Sequence, residues 1–95
     1  MTYALVNDIP ITWPTYETIA ADVLAEAPPG LVVHVAGPTD EGVRVIDVWV
    51  TEEAFRAFER DRLGPTLSRH RPPGLPPPLF RDLGVRHLLV GRADA

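Results

Sequence analysis

The 95-residue chain has no cysteine, no lysine and no glutamine, and it carries a single serine, Ser68, and a single asparagine, Asn7. Each absence removes a chemistry. Without thiols there is no disulfide framework, no thiolate nucleophile and no cysteine-containing zinc site. Without lysine there is no Schiff base. Ser68 stands between Leu67 and Arg69 rather than in a G-x-S-x-G turn, so a serine hydrolase is disfavoured. No apolar run approaches the ~20 residues that cross a bilayer, and no basic stretch followed by an apolar core opens the chain. The expectation is a cytoplasmic protein without a membrane partner. The nine basic residues, all arginine, are scattered in a chain of net charge −4, which leaves no electrostatic footprint for nucleic acid.

What remains for chemistry is His34, His70, His87, the carboxylates, Tyr3, Tyr16, Asn7 and the arginines, an inventory suited to proton transfer or substrate positioning. The three histidines are far apart and form no local H-x-x-E-H type motif, so no metal site is expected. A hydrophobic content of 45% with 23% charged residues is that of a globular chain, not a disordered one. Residues 1–95 are read as one domain, small enough that extra burial through self-association helps it, and a homodimer is expected.

Residues 3–9 read as a first strand stopped by Pro10. Thr12 then caps a helix in which Tyr16, Ile19, Ala20, Val23, Leu24 and Ala27 follow helical spacing, with Pro14 harmless in the first turn and Pro28-Pro29-Gly30 as the stop. The β-branched runs 31–36 and 43–50 flank a Gly37–Gly42 loop and read as a hairpin. Thr51 caps a second helix with Glu52 and Glu53 at its positive end, and Phe55, Phe58, Arg62 and Leu63 share a face. Gly64-Pro65 kinks or ends it, with 66–70 able to add a turn. Five prolines within 72–78 make residues 72–84 a connector, a lid or a clasp on a partner, and 85–90 supply the last strand. The order βαββαβ predicts an α+β, ferredoxin-like sandwich: a four-stranded antiparallel sheet with both helices on one face.

Alternation along the strands places candidate residues. An even hairpin loop with Ala36 opposite Val43 sets His34 across from Val45 and diagonal to Asp47. Val32, His34, Ala36, Val45, Asp47 and Trp49 then share a mixed face, joined by His87 if 85–90 is a strand. Leu31, Val33, Val35, Ile46, Val48 and Val50 form an almost purely apolar face, expected to pack under the helices. A carboxylate beside an imidazole fixes its tautomer and orients it as a general base, so His34, Asp47 and His87 are the candidate catalytic residues. The alternative is that His34 and Asp47 are a satisfied polar pair at a dimer interface, and that Trp49 only packs.

The stretch Gly30–Pro65, above all Asp47-Val48-Trp49-Val50-Thr51-Glu52-Glu53-Ala54-Phe55, resembles the dimeric α/β-barrel superfamily in its antibiotic-biosynthesis-monooxygenase-like branch, and Val85-Arg86-His87 is similar to a last-strand Val-x-His of small members. The resemblance implies two such sheets associating into an α/β barrel. It also implies a cofactor-independent enzyme, of monooxygenase or cyclase/isomerase type, acting on a small hydrophobic, aromatic or polyketide-like molecule. In that reading His34 and Asp47 manage a proton, and Trp49, Tyr3, Asn7, Phe58 and Tyr16 line the substrate. Haem degraders of this fold use an Asn on the first strand, a Trp in the second helix and a His beyond it. Asn7 matches the first, but Phe58 stands in place of the Trp, Ser68 stands near the His position and His70 is out of register, so haem is disfavoured. The competing class is a non-catalytic dimeric small-molecule-binding or accessory module.

Overall fold

The computed structural model describes residues 2–70 and 79–91. Strand β1 (Tyr3–Ile9) leads to helix α1 (Trp13–Val23), then to the hairpin of β2 (Leu31–Thr39) and β3 (Gly42–Trp49). Helix α2 (Glu52–Phe58) runs through a π-helical stretch, Glu59–Leu63, into helix α3 (Gly64–His70), and β4 (Leu79–Gly84) completes the sheet. The four strands lie in the order β2-β3-β1-β4 with every neighbouring pair antiparallel. This is the expected ferredoxin-like α+β architecture. Among the described residues no helix is long and apolar enough to cross a membrane.

Both helix starts form as their capping residues dictate. The Thr12 hydroxyl oxygen accepts from the Thr15 amide and the Thr51 oxygen from the Ala54 amide, each satisfying one of the otherwise unpaired first-turn donors. Helix α1 ends at Val23, earlier than the Pro28-Pro29 stop, which leaves Ala27 exposed outside it. At Pro65 the chain does not break. Proline cannot donate to the carbonyl of Asp61 and its ring crowds that group; the preceding turn widens instead, with the Gly64 amide donating to the Glu59 carbonyl. The widening turns Arg62 out to solvent, away from the face it was expected to share with Phe55 and Phe58.

Three expectations for the sheet are corrected. The hairpin turn is only Asp40-Glu41, so β2 continues through Gly37 and Pro38, and the register moves by two: Ala36 pairs with Val45 and His34 pairs directly with Asp47. A proline is tolerated there because β2 is an edge strand. A bulge between Leu31 and Val33 then brings Leu31 to the same face as His34. The last strand is Leu79–Gly84, inside the expected connector, whose remaining residues lie outside those described; Val85–Val90 is not a strand. The charged residues of this strand find partners across the sheet. Asp82 accepts from the Tyr3 hydroxyl at 2.8 Å, and Arg81 lies 3.6 Å from Asp8.

The third correction concerns which face the helices cover. The mixed face, not the uniformly aliphatic one, is buried. Tyr3, Leu5, Ile9, Val43, Val45 and Trp49 pack against Ile19 and Val23 of α1 and Phe55 and Phe58 of α2. Val33, Val35, Ile46 and Val50 face outward, Val35 to 52% and Ile46 to 41% exposure. The aromatic residues decide this. Trp49, 1% exposed, sits with its ring centroid 5.7 Å from that of Phe55 and 5.3 Å from that of Phe58, and such rings carry most of the apolar area a small core has to bury. Gly30 (φ +87°) makes the approach possible, since a Cβ there would lie 2.7 Å from the Ala54 methyl.

Burial, reinforced by the hydrogen bond to Asp82, pushes the Tyr3 phenol up from 10.0 to about 12. The folded state therefore holds this proton more tightly than the unfolded chain. The resulting stabilisation is complete below the unfolded value and is lost as pH rises from 10.0 toward about 12. Tyr3→Phe is expected to flatten the fall of the urea midpoint across that interval; an unchanged alkaline slope would assign the effect elsewhere.

Candidate active site

The direct pairing of His34 with Asp47 sets up a chain of four side chains between the sheet and the helices. The Trp49 indole N–H donates to Asp47 Oδ2 at 3.3 Å, and Asp47 Oδ1 lies 2.6 Å from His34 Nδ1. His34 Nε2 lies 2.6 Å from the hydroxyl of Tyr16, which reaches down from α1. Asp47 is only 5% exposed, so its carboxylate depends on these two donors in place of water. In a neutral imidazole the geometry assigns the proton to Nδ1, because the carboxylate only accepts, and leaves Nε2 to accept from the phenol. Burial, together with the charge of Asp47, raises the Tyr16 pKa and keeps that hydroxyl a donor.

His34, Asp47 and Tyr16 form one polar edge of a cavity of about 50 Å³ whose other walls are almost entirely apolar. Strands β1 and β3 contribute Leu5, Asn7, Ile9, Val45 and Trp49. The helical layer contributes Ile19, Val23, Phe55, Phe58, Leu63 and Leu67. The space is far below the roughly 300–1,000 Å³ of a ligand pocket, so the described arrangement is too small for a drug-sized ligand. Asn7 Oδ1 is buried at this wall and finds no hydrogen-bond partner among the described residues.

Of the candidate residues, His34, Asp47, Trp49, Asn7, Phe58 and Tyr16 converge on the cavity. Two do not. His87 follows β4 and is exposed, outside the sheet that was to carry it to His34. Tyr3 is buried, but its hydroxyl is turned to Asp82 and its ring to Phe55, and it does not line the cavity. Trp13 went unrecognised in the sequence: its ring stacks on that of Tyr16, centroids 4.9 Å apart and planes 24° apart. Its i, i+3 spacing from Tyr16 was the available signal.

The βαββαβ order, with a four-stranded antiparallel sheet covered by helices on one face, defines the ferredoxin-like α+β class. No family model and no curated protein matches the sequence. Solved structures do match the fold. A putative antibiotic biosynthesis monooxygenase from Caulobacter crescentus superposes with a TM-score of 0.70 at 18% identity, over 90% of this chain and 91% of its own. SnoaB, a cofactor-independent oxygenase from Streptomyces nogalater, gives 0.64 at 21% identity, covering 93% and 96%. The haem degrader MhuD from Mycobacterium tuberculosis gives 0.61 at 21% identity, covering 94% and 99%. The chain has the fold of the antibiotic-biosynthesis-monooxygenase-like proteins.

Phe58 both packs on Trp49 and lines the cavity. Phe58→Ala is expected to destabilise the protein by about 3–5 kcal/mol, measured by urea unfolding. A loss below about 1 kcal/mol would mean that the neighbouring residues relax into the space.

Proposed function

We propose that the chain is a small cofactor-independent enzyme that removes a proton from an aromatic or polyketide-like molecule, with His34 as general base and Asp47 as its orienting partner. One observation carries this reading: Asp47 holds His34 at 2.6 Å through Nδ1, which leaves the basic Nε2 on the side of an apolar cavity. His34 Nε2 takes the proton of an acidic O–H or C–H group. The bonding pair stays on the substrate as a phenolate or enolate, and Asp47 stabilises the imidazolium so formed. A carbanion of this kind reacts with dioxygen, a ring CH₂ and O₂ giving a ring carbonyl and water, or closes on an internal carbonyl, or is reprotonated elsewhere. Trp49 and Phe58 hold the ring, and Asn7 offers its Oδ1, which has no partner among the described residues, to a donor group of the substrate.

Haem does not fit this residue set. His34 is the lone histidine lining the cavity among the described residues, and Phe58 stands where haem degraders of this fold place a tryptophan. The competing reading, a non-catalytic binding or accessory module, draws on the contact by which Tyr16 occupies His34 Nε2. Activity decides between them. His34→Ala is expected to abolish turnover of an anthrone-type substrate in the folded fraction, which the half-paired Asp47 lowers, and Asp47→Asn to lower the rate by about 10²-fold or more. Saturable binding without turnover in the unaltered protein would select the binding module.

We further propose a homodimer formed through the outer sheet face, not through the mixed face that first suggested it. The aliphatic side chains of Val33, Val35, Ile46, Val50 and Leu83 are uncovered there, a patch that is costly to leave in water on so small a chain. Sedimentation should show a dimer at micromolar concentration that Ile46→Arg converts to monomer; a monomeric unaltered protein would refute the assignment.

A further inference from the structure

We infer that Tyr16 is a built-in occupant of the substrate's hydroxyl position, and that the ligand of this cavity is a phenol or ring enol that displaces it from His34. The inference rests on the reading of His34 as the substrate-facing base and names the chemical group that base accepts.

The protein already presents a phenol to His34. The Tyr16 hydroxyl lies 2.6 Å from Nε2, with the two ring planes 10° apart and the centroids 6.3 Å apart. That separation is close to the most that a ring, a hydroxyl, a hydrogen bond and an imidazole span when laid end to end. The phenol oxygen thus meets Nε2 near the imidazole plane, on the side of its lone pair. While it stays there the base is spent on its own protein, and no substrate proton reaches it.

The size of the cavity points the same way. At about 50 Å³ it admits no aromatic ring until a wall moves. Val45, Trp49, Phe55, Phe58, Ile19 and Val23 are buried in the core, and shifting any of them disturbs packing on several sides. Tyr16 is only half-buried, on α1, and its ring stacks on that of the likewise half-buried Trp13. Swinging Tyr16 outward gives up one hydrogen bond, the stack on Trp13 and packing at the edge of the core, and it vacates a space shaped like a phenol. A ligand with its own ring hydroxyl restores the hydrogen bond to Nε2. An apolar ring of the same shape leaves Nε2 unpaired against an apolar wall, and a site built around a hydroxyl discriminates strongly against such an analogue. Tyr16 thereby sets a threshold: a ligand gains entry in proportion to how well it replaces the tyrosine.

The test compares 2-naphthol with naphthalene on the full chain and on Tyr16→Phe and Tyr16→Ala, reading dissociation constants by calorimetry and the His34 imidazole ¹⁵N shifts by NMR. Tyr16→Phe keeps the ring and frees Nε2, so 2-naphthol is expected to bind about tenfold more tightly than to the unaltered protein, with naphthalene changing little. Tyr16→Ala, which also empties the space, is expected to bind 2-naphthol more tightly still. In both variants 2-naphthol should move the His34 Nε2 resonance. Tyr16→Phe decides the matter if the alanine variant does not fold. Unchanged or weaker 2-naphthol binding in Tyr16→Phe, with His34 still perturbed by the ligand, would overturn the inference and leave His34 as the base. A His34 resonance unmoved by 2-naphthol in every protein would overturn both.

Discussion

A carboxylate at 5% exposure between a sheet and its helices is the constraint around which this molecule is organised. An isolated buried charge costs far more than a domain of this size has to spare, so Asp47 is tolerable only where donors reach both of its oxygens. Trp49, two residues along the same strand and so on the same face, supplies one; His34, directly across on β2, supplies the other. A slip of one residue in the β2–β3 pairing would send His34 to the opposite face and leave the carboxylate half-paired. The same arrangement that satisfies the charge also aligns the imidazole. Structural need and chemical readiness therefore share one set of atoms.

The sheet has two apolar faces and the helices cover only one. Aromatic bulk settles the choice, because Trp49, Tyr3, Phe55 and Phe58 interlock as rings across the layers, whereas Val33, Val35, Ile46 and Val50 form a low, even aliphatic surface. Such a surface suits the flat meeting of two sheets better than the knobbed surface of a helix. At one end the outer face is bounded by charge: Arg44 binds Asp8 through two hydrogen bonds, with Arg81 close by.

Closure of the cavity follows from how the helical layer is built. The π-helical stretch before Pro65 shifts the following residues around the helix axis, so that Leu63 and Leu67 close over Phe58 while Arg62 points to solvent. Widened turns of this kind are less well hydrogen-bonded than α-helix and are often found beside functional sites. On the other side α1 closes the space with Tyr16, a half-buried wall residue that carries a polar tip to His34.

The sequence by itself determined the element order, the caps at Thr12 and Thr51 and the shared face of His34, Asp47 and Trp49, because propensity, capping and strand alternation are local properties. It also determined what chemistry was out of reach, through the residues it lacks. Tertiary structure decided what local pattern leaves degenerate. Two faces of similar hydropathy look alike until the rings of other elements are packed against one of them, which is why the aliphatic face was first assigned to the helices. The place of β4 depended on Tyr3 and Asp8, more than seventy residues away, giving Asp82 and Arg81 partners that made a charged strand acceptable. Tyr16 and His34 are eighteen residues apart on different elements, and no periodicity relates a helix side chain to a strand side chain. Only the packing of α1 against the sheet brought the phenol to the imidazole.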